Sequence, residues 1–286
     1  MKKNTVIEVK QDAELLKFLL ENLKGQSRNN VKALLTYKQV AVDGEIRTAH
    51  NFPLTAGMQV EIIWDKSRGK EERELEIIYE DECIIAVNKP AGLLSIANEK
   101  EKERTAYHML TDYVKKKDRG ARIFVVHRLD KDTSGVLVVA KDEEVKLALQ
   151  EKWNENVSRR EYVAVVEGKV KEPKGTIKSY LRETKTHLVY SAESGERAIT
   201  NYEVIREGDQ YSLLRVQIAT GKKNQIRVHM QDMGNPIAGD KKYGAKTSPI
   251  GRLALHANIL EFYYPIKDKM LTLEAKYPVS FKKLTK

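Results

Sequence analysis

Val136-Leu137-Val138-Val139-Ala140 carries no polar side chain. The run is β-branched and apolar enough to be a buried strand. Val125-Val126 is a shorter segment of the same kind. Between the two lie His127, Arg128, Asp130, Lys131, Asp132, Thr133, Ser134 and Gly135. A chain with such a pair must build a covered sheet, and the polar residues between them are presented from a rigid base. The same Asp, Thr, Ser and Gly also suit an ordinary tight turn, where they satisfy backbone groups. The stretch alone leaves both readings open.

Residues 1–65 read as a separate small unit. Leu15, Leu16, Leu19, Leu20 and Leu23 have helical spacing over Ala13 to Leu23, and Gly25 ends the helix. Ser27 caps a second amphipathic helix through Val31, Leu34 and Leu35. Val40 to Ile46 reads as strand, Asp-Gly turn, strand, and Val60 to Ile63 supplies a further strand. Residues 66–74 are charged and read as a linker. Residues 75–286 form the large domain. Strands are expected at Leu75 to Tyr79, Cys83 to Val87, Ser158 to Gly168, Ala198 to Arg206 and Tyr211 to Ile218. Helices are expected at Thr105 to Val114 and Glu143 to Trp153. Asn224 to Met233 is too sparsely apolar to decide between helix and strand. Leu253 to Phe262, Leu271 to Ala275 and a Lys-rich tail read as strand. Many strands and no βαβ rhythm predict an α+β fold with a mostly antiparallel sheet.

The 286 residues hold 51 Lys and Arg against 41 Asp and Glu, a net charge of +10. That balance fits a polyanionic partner or a generically basic surface. Cys83 is the single cysteine, so no disulfide framework or thiolate zinc site is expected. His50, His108, His127, His187, His229 and His256 form no short-spaced ligand pair, which predicts no metal site. No apolar run reaches membrane-spanning length. A cytoplasmic monomer is the resulting expectation.

Five blocks then line up in order between about residues 75 and 275. His127-Arg128-Leu129-Asp130 with Thr133-Ser134-Gly135 resembles the signature loop of the RluA-type pseudouridine synthases. Asn88-Lys89-Pro90-Ala91-Gly92 resembles that family's Lys-Pro-x-Gly element, and Arg160-Glu161-Tyr162 to Gly168 its Tyr-containing strand. Thr220-Gly221, Gln225 to His229, Gly234 to Ile237, Gly239-Asp240 and Tyr243-Gly244 resemble its third block. Leu255-His256-Ala257 resembles its closing strand. The small unit is similar to the S4 RNA-binding domain through Ser27-Arg28 with Lys32, Val40 to Gly44, and Ala56 to Val60. It departs from that pattern at Glu14-Leu15-Leu16, where an Arg-Leu-Asp is usual.

The resemblance implies a pseudouridine synthase fold, an RNA partner (rRNA before tRNA) and a redox-neutral isomerisation without cofactor. It implies catalytic roles for Asp130, Tyr162 and Arg227: a reactive carboxylate, a ring stacked on uracil, and the arginine paired to the carboxylate. Arg128 matches the residue that fills the space left by a flipped base. Leu255, Lys222 and Lys89 are implied substrate contacts. Lys24, Arg28 and Lys32 are the RNA candidates of the small unit. Lys222, Asn224, Asn235 and Ser95 depart from the family's usual Arg, His, His and His. Two rivals are weighed beside this reading. Asp130 and Asp132 resemble the paired aspartates of a magnesium-dependent phosphatase, though His127-Arg128 interrupts the strand that should precede them. An RNA-binding protein that has lost catalysis would have no reason to retain Asp130, Tyr162 and Arg227 together.

Overall fold

The structure, a computed structural model, describes residues 4–36, 38–64, 75–99, 101 and 105–286. The expected linker at 66–74 lies outside the described residues. The chain divides into two compact units, Met1–Glu74 and Leu75–Lys286.

In the small unit, strand β1 (Thr5–Glu8) is followed by β2 (Ala13–Glu14), α1 (Leu15–Asn22) and α2 (Arg28–Thr36). Then come β3 (Val40–Val42), β4 (Glu45–Ile46), β5 (Pro53–Leu54) and β6 (Gln59–Ile62). The main sheet runs β1-β6-β3-β4. Leu15, Leu19, Val31 and Leu35 are buried against Val40, Val60 and Ile62, so the leucine spacing seen in the sequence is the helix face that packs. Ser27 accepts from the Asn30 N–H at 3.2 Å and caps α2 as expected. Asp43 and Gly44 both have positive φ, 49° and 81°, which the tight hairpin requires. Helix α1 starts later than its apolar spacing begins, because Ala13 and Glu14 are extended and pair with Leu54 and Pro53.

The large unit contains β7 (Glu76–Glu80), β8 (Ile84–Lys89), α3 (Ala106–Lys117), β9 (Phe124–Val125), β10 (Ser134–Ala140), α4 (Glu143–Glu151) and α5 (Trp153–Asn156). It continues with β11 (Val157–Glu167), β12 (Lys174–Glu183), β13 (Val189–Ala192), β14 (Glu196–Glu207), β15 (Tyr211–Ile218) and α6 (Gln225–Asp232). It ends with β16 (Leu255–Tyr264), β17 (Lys269–Glu274) and α7 (Val279–Leu284). One sheet runs β13-β12-β14-β15-β11-β16-β10-β8-β7, with β17 on β16 and β9 on β10. Every pairing among the described residues of this sheet is antiparallel except β10 with β16. The mixed, mostly antiparallel α+β fold is therefore the one the strand pattern predicts.

Strand β10 is buried at every residue, as its composition requires. Its even and odd positions serve different cores. Val136, Val138 and Ala140 pack with Val145 and Leu149 of α4. Leu137 and Val139 pack with Leu110 and Val114 of α3. Thr105 accepts from the His108 N–H at 3.1 Å and caps α3. Two segments differ from expectation. Asn224 to Met233 resolves as a helix, and Gln225 to Met230 are buried all round it, so no apolar stripe marks it in the sequence. The Lys-rich tail is also helical at α7, where Phe281 is fully buried. Among the described residues no helix is long and apolar enough to cross a membrane.

The parallel contact joins the polar loop to the closing strand. Ser134 lies opposite His256 and Gly135 opposite Ala257. Gly135 has φ 119°, and a Cβ there would stand 2.1 Å from the Ala257 carbonyl oxygen. Backbone positioned this close, in a region side chains avoid, leaves glycine as the only residue that fits. Ser134 donates its hydroxyl to His256 Nδ1 at 2.8 Å. His256 Nε2–H donates to the Ala275 carbonyl at 2.8 Å, and Arg252 Nη2 donates to Ser134 Oγ at 2.8 Å. The two ring nitrogens thus have one proton between them and His256 is neutral.

Burial, aided by Arg252 and opposed by the Ala275 bond, pulls His256 down to about 4. Burial, with Arg160 adding to it, does the same to His127, to about 4. Both folded values lie below the ordinary value near 6.5, so the unfolded chain takes these protons first. Stability is then lost as pH falls from about 6.5 toward 4 and is fully retained above that window. Urea midpoints measured between pH 7 and 5 should fall with a proton uptake near two, and His127→Gln should remove about one. Gly135→Ala should cost about 3 kcal/mol or more in the same assay at neutral pH.

Candidate active site

The residues between Val125 and Ser134 form a loop held from below. Ser95 Oγ–H donates to the Leu129 carbonyl at 2.8 Å, and the Leu129 N–H donates back to Ser95 Oγ at 3.1 Å. The Gly92 N–H donates to the Lys131 carbonyl at 2.9 Å. Lys89 reaches the same carbonyl at 3.1 Å, with Leu93 and Pro90 carbonyls at 2.8 and 3.0 Å. Its side chain is wholly buried and does not line the cleft above. The expected substrate contact of Lys89 is thus replaced by a clamp on the loop. Burial pulls this ammonium down to about 8, against the opposing charges of Asp132 and Asp130. The Asn88 to Gly92 element works through backbone carbonyls, which is why proline and glycine punctuate it.

His127 fixes the other side of the loop. Its Nε2 accepts from the Val138 N–H at 3.1 Å, and its ring stacks on Trp153 with centroids 5.2 Å apart. The histidine of the signature is therefore a neutral strut between β10 and α5. Thr133 is buried, and its N–H donates to the Asp130 carbonyl at 3.2 Å, closing the turn.

A cleft of about 300 Å³ opens over this loop. Asp130, Arg128, Tyr162, Arg227, Leu255 and Lys222 all line it, so the fold brings together every catalytic-domain residue singled out in the sequence except Lys89. Arg128 is exposed, Asp130 and Tyr162 are half-buried, and Leu255 is buried. Strand β11 places Tyr162 opposite Ala257 and Ala164 opposite Leu255, which puts ring and leucine on one face of the sheet. Burial, opposed by Arg160 and reinforced by Asp130, pushes the Tyr162 phenol up to about 12, so it is neutral. Among the described residues the Asp130 carboxylate accepts no hydrogen bond.

Arg227 differs from expectation in its partner. Its Nε and Nη2 both donate to Asp240, each at 2.7 Å, and its Nη1 donates to Asn224 Oδ1 at 3.1 Å. The Tyr243 ring lies 4.8 Å from the guanidinium carbon. Burial disfavours the charge, but the Asp240 bonds and the charges of Asp240 and Asp130 outweigh it, so Arg227 stays protonated. It faces Asp130 as a through-space charge while Asp240 holds it. Asn224 adopts a left-handed backbone, φ 54°, which asparagine tolerates well. Lys222 reaches the rim but ends on Glu196, 2.7 Å away.

Arg160 is the cleft residue the sequence reading did not assign. It sits two residues before Tyr162 on β11, on the same face, and strand periodicity from Tyr162 points to it. A Cβ at Gly221 would stand 2.6 Å from Arg160 Nη1, so glycine leaves room for the guanidinium. Among the described residues no group of three or more His, Cys, Asp or Glu could hold a metal ion. The phosphatase reading also lacks its setting, since β9 and β10 flank Asp130 as an antiparallel pair. In the small unit Lys24 and Arg28 are exposed and Lys32 is half-buried.

Comparison with known proteins agrees with this geometry. A family described as RNA pseudouridylate synthase matches residues 83–232, which include Asp130, Tyr162 and Arg227. An uncharacterized RNA pseudouridine synthase of Bacillus subtilis, YhcT, is 31% identical over 98% of this chain and 95% of its own. Ribosomal large subunit pseudouridine synthase D of Nitrosomonas europaea is 32% identical over 91% of this chain and 80% of its own. The solved structure of human RNA pseudouridylate synthase domain containing 4 shares the fold, with a TM-score of 0.60 over 72% of this chain and 90% of that one, at 24% identity. The chain belongs to the RNA pseudouridylate synthase family and is an RNA pseudouridine synthase.

Proposed function

We propose that this enzyme isomerises a uridine of large-subunit ribosomal RNA, with Asp130 as the reacting carboxylate. The observation that carries the site assignment is the setting of Asp130. It stands in one cleft with the neutral ring of Tyr162 and the charge of Arg227. The name of the Nitrosomonas relative, a large-subunit enzyme similar over most of both chains, supports the choice of RNA. Cytoplasmic RNA and a monomeric enzyme complete the reading.

The reaction breaks the bond from C1′ to N1, turns the uracil, and joins C1′ to C5. The proton lost from C5 is balanced by one gained at N1, so no electrons are exchanged. Arg128 enters the space left when the uridine leaves its stack. Tyr162 holds one face of the uracil and lets it turn within its plane, and Leu255 forms the opposite wall. Asp130 reacts at the sugar through carboxylate oxygens that have no hydrogen-bond donor to give up first. Arg227 opposes its charge from a fixed position. Lys222, tied to Glu196, lines the rim where phosphate passes. The small unit acts as an S4-like RNA-binding domain, with Lys24, Arg28 and Lys32 as its phosphate contacts.

Pseudouridine formed on a 23S rRNA transcript, mapped by carbodiimide-dependent reverse-transcription stops, tests the RNA. Stops on tRNA alone would overturn it. Asp130→Asn should reduce single-turnover rates by about 10³-fold or more, on the order of 4 kcal/mol, with RNA affinity kept. Persisting activity in that variant would remove Asp130 from the chemistry. Tyr162→Phe keeps the ring and should keep RNA affinity within about twofold, since stacking needs no hydroxyl.

A further inference from the structure

Strands β12, β13 and β14 form one end of the large sheet, with β13 at the edge. Their two faces are differently used. One face carries Ser179 and Thr200, whose hydroxyls meet the two ring nitrogens of His229 at 3.0 and 2.8 Å, so α6 covers it. The register places Lys178, Tyr180 and Arg182 on the opposite face. Arg197 lies directly across from Tyr180, and Tyr190 directly across from Arg182. All five are exposed, the two tyrosines at 45% and 42%. None of them lines the target cleft.

Glu183 and Glu196 pair across from Val189 and Leu181, which are buried, so they belong to the covered side. There Glu183 takes Lys223 and Glu196 takes Lys222. Glu203 lies on the open face, across from Lys174, and is taken by Arg215. Among the described residues Lys178, Arg182 and Arg197 make no ion pair. The result is two phenol rings set among three unneutralised cations on an open sheet surface. Cross-strand neighbours on one face are about 5 Å apart, close enough for rings and guanidinium planes to form one platform. Rings with open faces serve bases that are not already stacked in a duplex, while the cations serve phosphates.

We propose that this face is a second RNA-binding surface of the enzyme, taking an unpaired stretch of RNA outside the target cleft. Bases stack on Tyr180 and Tyr190, and Lys178, Arg182 and Arg197 hold the phosphates. The inference rests on the enzyme's RNA chemistry and not on which RNA carries the target. Its probe is therefore a fluorescent single-stranded oligocytidylate 20-mer, which contains no uridine, bound to the full-length protein. Tyr180→Ala with Tyr190→Ala should weaken binding about tenfold or more, and the paired Phe substitutions should restore it. Lys178→Gln, Arg182→Gln and Arg197→Gln together should lower the slope of log affinity on log salt by about two. A self-complementary RNA duplex should be insensitive to the tyrosine changes. Unchanged oligocytidylate affinity and salt slope in both variants would overturn the proposal. So would failure of the Phe pair to restore binding. A protein dimer lost in sedimentation on the Tyr→Ala changes, with RNA binding intact, would reassign the face to a contact between two copies.

Discussion

The backbone of Gly135 lies against the backbone of Ala257, and the cleft depends on that contact. It is the point where the loop bearing Asp130 enters β10 and where β16 brings Leu255 to the opposite wall. No side chain separates the two strands there, so the loop and the wall share one register. Bonds from half-buried Arg252 to buried Ser134, and from Ser134 to buried His256, then fix the same junction from below. Ser134 and His256 are polar and removed from water, so each costs free energy unless its partner is in place. The junction is consequently held in one arrangement.

Charge around Asp130 follows from the same economy of partners. A guanidinium as buried as that of Arg227 is costly without a carboxylate. Asp240 supplies it in a bidentate bond, and Asn224 takes a further donor. Arg227 can therefore sit beside the cleft without binding Asp130 directly. A direct fork would hold both carboxylate oxygens. The arrangement seen leaves the Asp130 oxygens without a hydrogen-bond donor among the described residues. Lys89 adds a second buried cation under the loop, satisfied by three carbonyls instead of an acid.

What the sequence made legible is what short-range pattern can carry. The apolar run of β10, the leucine spacing of α1 and the Asp-Gly hairpin each state their structure locally. The ordered motif blocks point to six of the residues that line the cleft. Helix α6 was not legible because it is buried on all sides, so polar Gln225 and Arg227 stand where an apolar stripe would be read. The hairpin of β12 and β13 was not assigned, since one of its faces is exposed and charged. Lys89 and Arg227 share a different limit. Motif position showed that each belongs to the site, but partners far along the chain, Lys131 and Asp240, decide what each one does.

The departures from the family pattern can be weighed the same way. Ser95 satisfies the Leu129 main chain in both directions, as donor and as acceptor. Asn235 donates to the Glu167 carbonyl at 2.8 Å and the Lys169 carbonyl at 3.1 Å, closing a turn. Asn224 accepts from Arg227 in a left-handed backbone that asparagine adopts readily. None of these roles transfers a proton, so a titrating histidine is not needed at any of them. Lys222 likewise meets Glu196 as a point charge, where an arginine would have offered a planar fork. The substitutions therefore fall around the cleft while the loop, the ring and the guanidinium keep their places. Under the proposed function, the choice of RNA is then set at the rim and the open face, and not by the carboxylate at the centre.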